Sequence, residues 1–404
     1  MTATGTAPSV AASEPGRFLL PREPRLTVSL LNPLARLRAL PPPFDTKPTF
    51  YLFWARNALY HGLHVLGLSA GDTVLVPAFH CASLVEPLIQ HGVAVRFYRV
   101  DRDCVPDLDD IRTKIDEKTR AVLAIHYFGF PGPIRDLRDL CTHHGLFLIE
   151  DCAHLLAGRG AGGVLGGFGD ISIFSWRKLL PIYDGGQLVV NNPALRVALP
   201  LVRSSAILRL RVWKNMIDKL IDDAPGGGLR RLSGLARWLS SAARRLLSRR
   251  ASAAPSLTIN NYGLHFDRSS LNVPMSGPSL RIMRTVDVEA ITKLRRRHYR
   301  MLLTAVADIP DLMPLHRDLP EGVCPWVFPL VARGRPSFHL RLRARGIPAT
   351  TWGEVIHSDL PLHEFGEAQF LYENLIFLPV HQSLTPQDLQ TMVAILREEM
   401  LATS

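Results

Sequence analysis

An aspartate that closes one apolar run and a lysine that follows another are the residues in this chain best suited to chemistry. Leu148-Ile149-Glu150-Asp151-Cys152-Ala153-His154 ends an apolar stretch in polar groups. Ile171-Ser172-Ile173-Phe174 leads into Ser175-Trp176-Arg177-Lys178, and Asp184-Gly185-Gly186 follows. Delivered by neighbouring strand ends, an aspartate and a lysine meet the needs of pyridoxal phosphate. The carboxylate keeps the pyridine nitrogen protonated so that the ring withdraws electrons, and the amine forms a Schiff base. Taken alone, Asp151 could equally cap a helix and Lys178 be a solvated charge, because charged residues at strand ends are common.

The elements that must position the pair can be read from Trp54 onward. Ala58, Leu59, Leu63, Val65, Leu66 and Leu68 recur at helical spacing, and a turn at Ser69-Ala70-Gly71-Asp72 leads into the strand-length run Thr73-Val74-Leu75-Val76. Helices are expected over about 82–91, 107–115 and 133–144, with strands at 93–97, 121–125, 146–149 and 187–190. Fully apolar strands separated by helices imply a mostly parallel α/β sheet covered on both faces. Ligands of such sheets bind at the carboxyl ends of the strands, where Asp151 and Lys178 stand.

Four regions are expected: a Pro-rich N-terminal arm over 1–48, a large cofactor-binding domain over 49–200, a basic helical insert over 201–255 and a smaller C-terminal α/β domain over 256–404. In the last, helices are read at about 287–305, 336–345 and 386–400, with a strand at 326–331.

Composition narrows the class. With 47% hydrophobic and 21% charged residues the chain reads as soluble and globular. Neither a secretory leader nor a membrane-spanning run is evident, so a cytoplasmic protein is expected. Cys81, Cys104, Cys141, Cys152 and Cys324 include no C-x-x-C pair, which argues against a disulfide framework and a structural zinc site. His143, His144, His357 and His381 lack ligand spacing on a common face, and no metal is expected.

The formal charge of +11 is concentrated in one place: residues 209–250 hold eleven Arg and Lys against Asp218, Asp222 and Asp223. A basic insert on a nearly neutral body points to a local surface with its own partner rather than to nucleic acid. Two amphipathic helices are read there, split by Pro225-Gly226-Gly227-Gly228. Their apolar faces suit packing on the body or a dimer partner; with Trp213 and Trp238 they also suit peripheral contact with an anionic membrane through 209–250.

The chain also resembles a family, the pyridoxal phosphate-dependent sugar aminotransferases of the DegT/StrS type, which have the aspartate aminotransferase (type I) fold. The resemblance rests on Gly71-Asp72-Thr73-Val74-Leu75-Val76-Pro77, Ile149-Glu150-Asp151-Cys152-Ala153-His154, Gly169-Asp170-Ile171-Ser172-Ile173-Phe174-Ser175 and Asp184-Gly185-Gly186, in order and spacing. It runs from about Phe53 to the C-terminus, apart from the insert.

What the resemblance implies falls on matching positions. Lys178 would carry the Schiff base and then shuttle a proton, Asp151 would pair with the pyridine nitrogen, and His154 would contact the phenolic oxygen. Ser175 and the helix opening at Ala55-Arg56-Asn57 would hold the cofactor phosphate. Asn272, in Asn272-Val273-Pro274-Met275-Ser276, would reach the phosphate of the partner subunit in a homodimer with composite sites, unless it is a loop asparagine in a turn.

Departures from the family pattern accompany these matches. Three positions separate Ser175 from Lys178 where the family usually has five, and Arg56 stands where the family has Gly-Thr, so it could pair with the phosphate directly. The ring-stacking aromatic is expected near Cys81, which assigns it to His80, with Phe79 as a core residue. His357 is read as facing the substrate because its segment resembles the family's substrate-side one, with a structural role as the alternative. The implied activity moves an amino group from a donor, glutamate by analogy, to a keto acceptor, usually a nucleotide-activated sugar. A scaffold whose insert binds membrane, or an enzyme of the same cofactor acting on another ketone, is the alternative. Ser175-Trp176-Arg177-Lys178 also fits the S-x-x-K of serine β-lactamases, but the chain has no K-T-G and Ser175 follows a strand.

Overall fold

The computed structural model describes residues 18–45, 47–156, 158–160, 163–224 and 266–402. Its centre is a seven-stranded sheet built from β1 (Thr49–Leu52), β2 (Thr73–Pro77), β3 (Ala94–Tyr98), β4 (Thr119–Ile125), β5 (Phe147–Cys152), β8 (Ile171–Ser175) and β9 (Gly186–Val190). A separate two-stranded sheet pairs β6 (Arg159–Gly160) with β7 (Gly163–Val164). The central order is β1-β9-β8-β5-β4-β2-β3, parallel from β3 across to β8, with β9 reversed.

Apolar runs make these strands because both faces of the sheet are covered. Val74, Leu75, Val76, Val122, Leu123, Leu148, Ile149 and Leu188 are fully enclosed. Helices α1 (Ala55–Val65), α2 (Val85–His91), α3 (Leu108–Lys114) and α4 (Ile134–His143) form the crossovers, and α3 starts where the Asp107 carboxylate accepts the amides of Asp109 and Asp110. The parallel order places the carboxyl ends of β4, β5 and β8 along one edge, with Ile125 opposite Asp151 and Asp151 opposite Ile173.

The C-terminal part carries an antiparallel sheet of Leu312–Pro314, Val327–Ala332 and Leu375–Pro379 with helices Val288–Val306, Phe338–Ala344, Gly366–Asn374 and Pro386–Leu401. The last of these begins in a reciprocal cap between Thr385 and Asp388. The arm from residue 18 lies over this part and the central sheet: the Leu19 amide donates to the Gly346 carbonyl at 2.8 Å, and Phe44 packs against Phe174 and Trp176.

Of the insert, α5 (Ala206–Asp223) is described; the expected second helix lies outside the described residues. Val212 and Met216 of α5 are buried, whereas Ile207, Leu210, Trp213 and Ile217 remain between 48% and 71% exposed. The expected single apolar face is therefore divided, and Trp213 and Ile217 are not fully covered. No described helix is long and apolar enough to cross a membrane.

Candidate functional site

Two strand ends and one turn assemble the site. Asp151 comes from β5, Ser175 closes β8, and the 3-10 turn Trp176–Lys178 carries the lysine. Together with Ala55, Arg56 and His154 they line an inner cavity under the start of α1. The Lys178 Nζ lies 3.0 Å from the His154 Nε2.

Protonation follows from the partners. The His154 Nδ1 accepts the Phe128 amide at 3.2 Å, which leaves the ring proton on Nε2, facing the lysine. Burial, reinforced by Lys178, drives the His154 pKa well down, so the ring is neutral. Burial also lowers the Lys178 pKa against the opposing pull of Cys81 and Asp151. In its neutral form the amine can accept the hydrogen bond of an Nε2–H donor and act as a nucleophile or a base. Burial raises the Asp151 pKa while Lys178 opposes the shift. Among the described residues its carboxylate takes one hydrogen bond, from the Ala153 amide at 2.9 Å, leaving capacity for a cationic N–H from a ligand ring.

Buried polar contacts hold the strand ends in place. Glu150, fully enclosed beside Asp151, accepts the amides of Gly166 at 2.9 Å, Phe168 at 2.6 Å and Gly169 at 2.5 Å, and meets the His126 Nε2 at 2.9 Å. These bonds pull its pKa down against burial, so the charge is satisfied. In Asp184-Gly185-Gly186, Asp184 accepts the Ser276 amide at 2.6 Å and hydroxyl at 2.8 Å. A Cβ on Gly186 would lie 2.2 Å from the Trp54 carbonyl carbon, so only glycine lets β9 approach the start of α1 this closely. The motif is thus the anchor of the start of α1.

Two residues expected at the site, His80 and His357, stand elsewhere, and the side chains of Asn57 and Asn272 lie outside the Lys178 cavity of their own chain. Asn57 turns away from the cavity and donates to the Ser270 carbonyl at 2.8 Å, tying α1 to the segment after the insert. His80 stacks on Phe97 with ring centroids 5.3 Å apart and planes within 6°, and its Nδ1 bonds the Pro77 carbonyl at 3.0 Å. Neighbouring residues of extended chain point opposite ways, and Cys81, one position on, lines the cavity instead. His357 is buried outside both cavities, with Nε2 3.4 Å from Glu86 and Nδ1 accepting the Asp359 amide. Asn272 lines a separate cleft with Tyr60, His61 and Arg196, outside the Lys178 cavity of its own chain.

The sequence reading passed over Arg177, Trp326 and Arg295. Arg177 lines the inner cavity. Trp326 stacks on His154 with centroids 4.2 Å apart and planes within 9°. Arg295 is completely buried, and its guanidinium donates to the carbonyls of Leu179, Pro325 and Trp326 and to the Gln382 side chain, closing the wall behind the lysine turn. The adjacency of Arg177 to Lys178 was the one available signal; the other two act over 116 to 148 residues of chain. An outer cavity of about 220 Å³ adjoins the inner one, shares Trp352 with it and adds Trp326, Thr351 and, from the arm, Arg22 and Glu23.

Residues 55–236 match the DegT/DnrJ/EryC1/StrS aminotransferase family. A GDP-perosamine synthase of Vibrio cholerae is 34% identical over 164 residues, 40% of this chain and 45% of the relative. A dTDP-4-dehydro-2,3,6-trideoxy-D-glucose 4-aminotransferase of Saccharopolyspora spinosa is 34% identical over 154 residues, 37% of this chain and 40% of that one. The chain thus spans less than half the length of these curated relatives. In structure it is similar to the aminotransferase TlmJ of Streptoalloteichus hindustanus, with a TM-score of 0.60 at 20% identity over 88% of this chain and 86% of that one. 3-Amino-5-hydroxybenzoic acid synthase gives 0.62 at 14% identity over 88% and 87%. These likenesses extend the shared fold, the type I α/β architecture read from the sequence, along most of the chain.

Proposed function

We propose that the protein is a pyridoxal phosphate-dependent aminotransferase that moves an amino group from an amino acid, glutamate by analogy, to the keto group of a nucleotide-linked sugar. The observation that carries this reading is the 3.0 Å contact between Lys178 and a neutral His154 in a cavity that also holds Asp151 and Ser175. The residues fit the cofactor: Asp151 has hydrogen-bonding capacity for a protonated ring nitrogen, and Ser175 lies with the start of α1 on the same cavity. When bound, pyridoxal phosphate supplies an electron sink.

The chain's own groups do the rest. Lys178, its pKa lowered by burial, moves protons at its Nζ; Asp151 holds the charge on the ring nitrogen; His154 donates from Nε2 toward the lysine and the cofactor's phenolic oxygen. The acceptor would enter through the outer cavity, where the indoles of Trp326 and Trp352 and several arginines suit a flat, anionic group. The names of the V. cholerae and S. spinosa relatives support a nucleotide-linked substrate. Composite sites in a homodimer, with Asn272 facing the partner, belong to the same reading.

The test is spectroscopic. Chain loaded with pyridoxal phosphate should absorb near ~420 nm, lose that band on adding the amino donor, and lack it as Lys178→Ala. Borohydride treatment followed by mass spectrometry should place the cofactor on residue 178. A colourless wild-type protein with no adduct would overturn the proposal.

A second reading concerns location. The exposed Ile207, Leu210, Trp213 and Ile217 of α5 have Arg203, Arg209 and Lys214 around them, an arrangement suited to an anionic membrane surface next to the enzyme's own work.

A further inference from the structure

Between Leu20 and Leu26 the N-terminal arm runs as a short span pinned at both ends. Leu20 and Leu26 are 4% and 2% exposed, and Pro24 between them is buried. Leu19, Glu23, Arg25 and Thr27 are exposed, so the span alternates as extended chain does, with residues 20, 22, 24 and 26 turned toward the body. The His381 Nε2 donates to the Pro21 carbonyl at 3.0 Å while its Nδ1 accepts the Ser383 amide at 3.3 Å, which fixes the tautomer. Burial lowers the His381 pKa to about 3, so the ring keeps this neutral form at ordinary pH. On the other side of Arg22, the Arg25 amide donates to the Ser383 hydroxyl at 2.9 Å and the Leu26 amide to the Asp223 carboxylate of α5 at 2.7 Å. A Cβ on Gly346 would lie 2.5 Å from the Leu19 Cγ, so glycine there lets the arm close on the C-terminal part.

Arg22 is the one charged residue on the inward side of this span, and it lines the outer cavity. Packing alone would be served better by an aliphatic side chain between two apolar anchors, because a half-buried guanidinium gives up hydration. The cavity also has a sign. Among the described residues that line it, Glu23 is the only acid, and it is exposed, against Arg22, Arg56, Arg177 and Arg295. Arg295 is committed to backbone carbonyls, but Arg177 makes no hydrogen bond or ion pair with any described residue. The same cavity holds the rings of Trp326 and Trp352. Guanidiniums match phosphate oxygens in geometry, and indoles offer flat faces for a planar base.

We propose that the span Leu20–Leu26 is the acceptor-side wall of the site and that Arg22 selects the acceptor by gripping the diphosphate of a nucleotide-linked sugar. This rests on the aminotransferase reading above, and it assigns the choice of acceptor to a segment ahead of the family match, which begins at residue 55. With Pro21 held by His381 and Leu26 held by Asp223, the Arg22 side chain starts from a fixed backbone, so little ordering cost falls on ligand binding.

The test reads diphosphate recognition apart from the chemistry. Chain loaded with pyridoxal phosphate would be titrated with GDP, dTDP and UDP and with guanosine, thymidine and uridine, following tryptophan fluorescence, for wild type, Arg22→Met and Arg22→Lys. Wild type should bind at least one diphosphate about tenfold or more tighter than its nucleoside. Arg22→Met should weaken that diphosphate by about tenfold while the nucleoside changes less than about twofold, and Arg22→Lys should recover part of the loss, since it restores charge without the fork. Equal weakening of diphosphate and nucleoside, or of neither, overturns the assignment, as does a wild-type chain that binds no diphosphate more tightly than its nucleoside. Bleaching of the visible band by glutamate would be followed in the same samples. A slowing in Arg22→Met as large as its loss of diphosphate affinity would place Arg22 on the donor or the cofactor and overturn the assignment too. A wild-type chain that gains no visible band with pyridoxal phosphate, before any nucleotide is added, would overturn the aminotransferase reading itself, and the assignment with it.

Discussion

The indole N–H of Trp326 donates to the backbone carbonyl of Lys178 at 3.1 Å. The same ring packs flat on His154, and the Lys178 Nζ lies 5.1 Å from its centroid. One side chain from the C-terminal part therefore fixes the lysine's backbone, limits the swing of its amine and holds the imidazole that faces that amine. The strand Val327–Ala332 starts at the next residue, so the antiparallel sheet sets where the indole stands.

Replacing Trp326 with Phe keeps a flat ring but removes the N–H donor. The lost hydrogen bond should lower stability by about 1 kcal/mol, read as a shift in the urea midpoint. On the proposed function, the amino-donor half-reaction should slow by roughly tenfold, because a small misplacement of the lysine enters the rate directly. If the half-reaction keeps its wild-type rate while stability falls, Trp326 only packs and does not position the lysine.

Much of the frame that carries this contact was legible in the chain. Strands β2, β4, β5 and β8 are uninterrupted apolar runs because both their faces are covered, and their ends carry the aspartate and the serine before the lysine turn. Strands β1 and Leu375–Pro379 were not read. β1 is an edge strand, mostly half-buried, with no alternation to mark it, and Leu375–Pro379 follows its helix without a turn signal. Side-chain direction was the harder problem. Whether His80 or Cys81 meets the cavity depends on a phase that one-residue spacing cannot give, and Asn57 and His357 are claimed by partners 213 and 271 residues away.

Acid should destabilise the folded chain well before its carboxylates protonate. Burial depresses His80, His91 and His316 to about 4 and His381 to about 3, and it lowers His61, His154 and His298 as well. An unfolded histidine titrates near 6.5, so between about 6.5 and 4 the unfolded chain binds more protons than the folded one and stability drops as pH falls. Asp151 and Asp184, raised by burial, act in the opposite sense, but they are two against seven. Urea unfolding at pH 7.5, 6.0 and 5.0 should therefore give steadily lower midpoints, with the largest drop below 6.5. His91→Phe should flatten the trend, since both ring nitrogens of His91 are buried without partners. Equal midpoints at pH 7.5 and 5.0 would mean that these rings are not held neutral.

The face of α5 away from the body makes a separate claim. Ile207 and Leu210 are 71% and 70% exposed, so changing them disturbs no core, and basic residues surround them. The sequence that follows adds seven arginines and no acidic residue between 224 and 250, so the charge of this region is one-sided. Each cation near an anionic bilayer contributes on the order of 1 kcal/mol, and the apolar side chains add burial at the headgroup boundary. The full chain should therefore sediment with vesicles of mixed phosphatidylcholine and phosphatidylglycerol at low salt, and stay in the supernatant with phosphatidylcholine alone. Leu210→Glu combined with Ile207→Glu should release it without changing the urea midpoint. Recovery of wild type in the supernatant with both kinds of vesicle would leave α5 as a surface for protein rather than lipid.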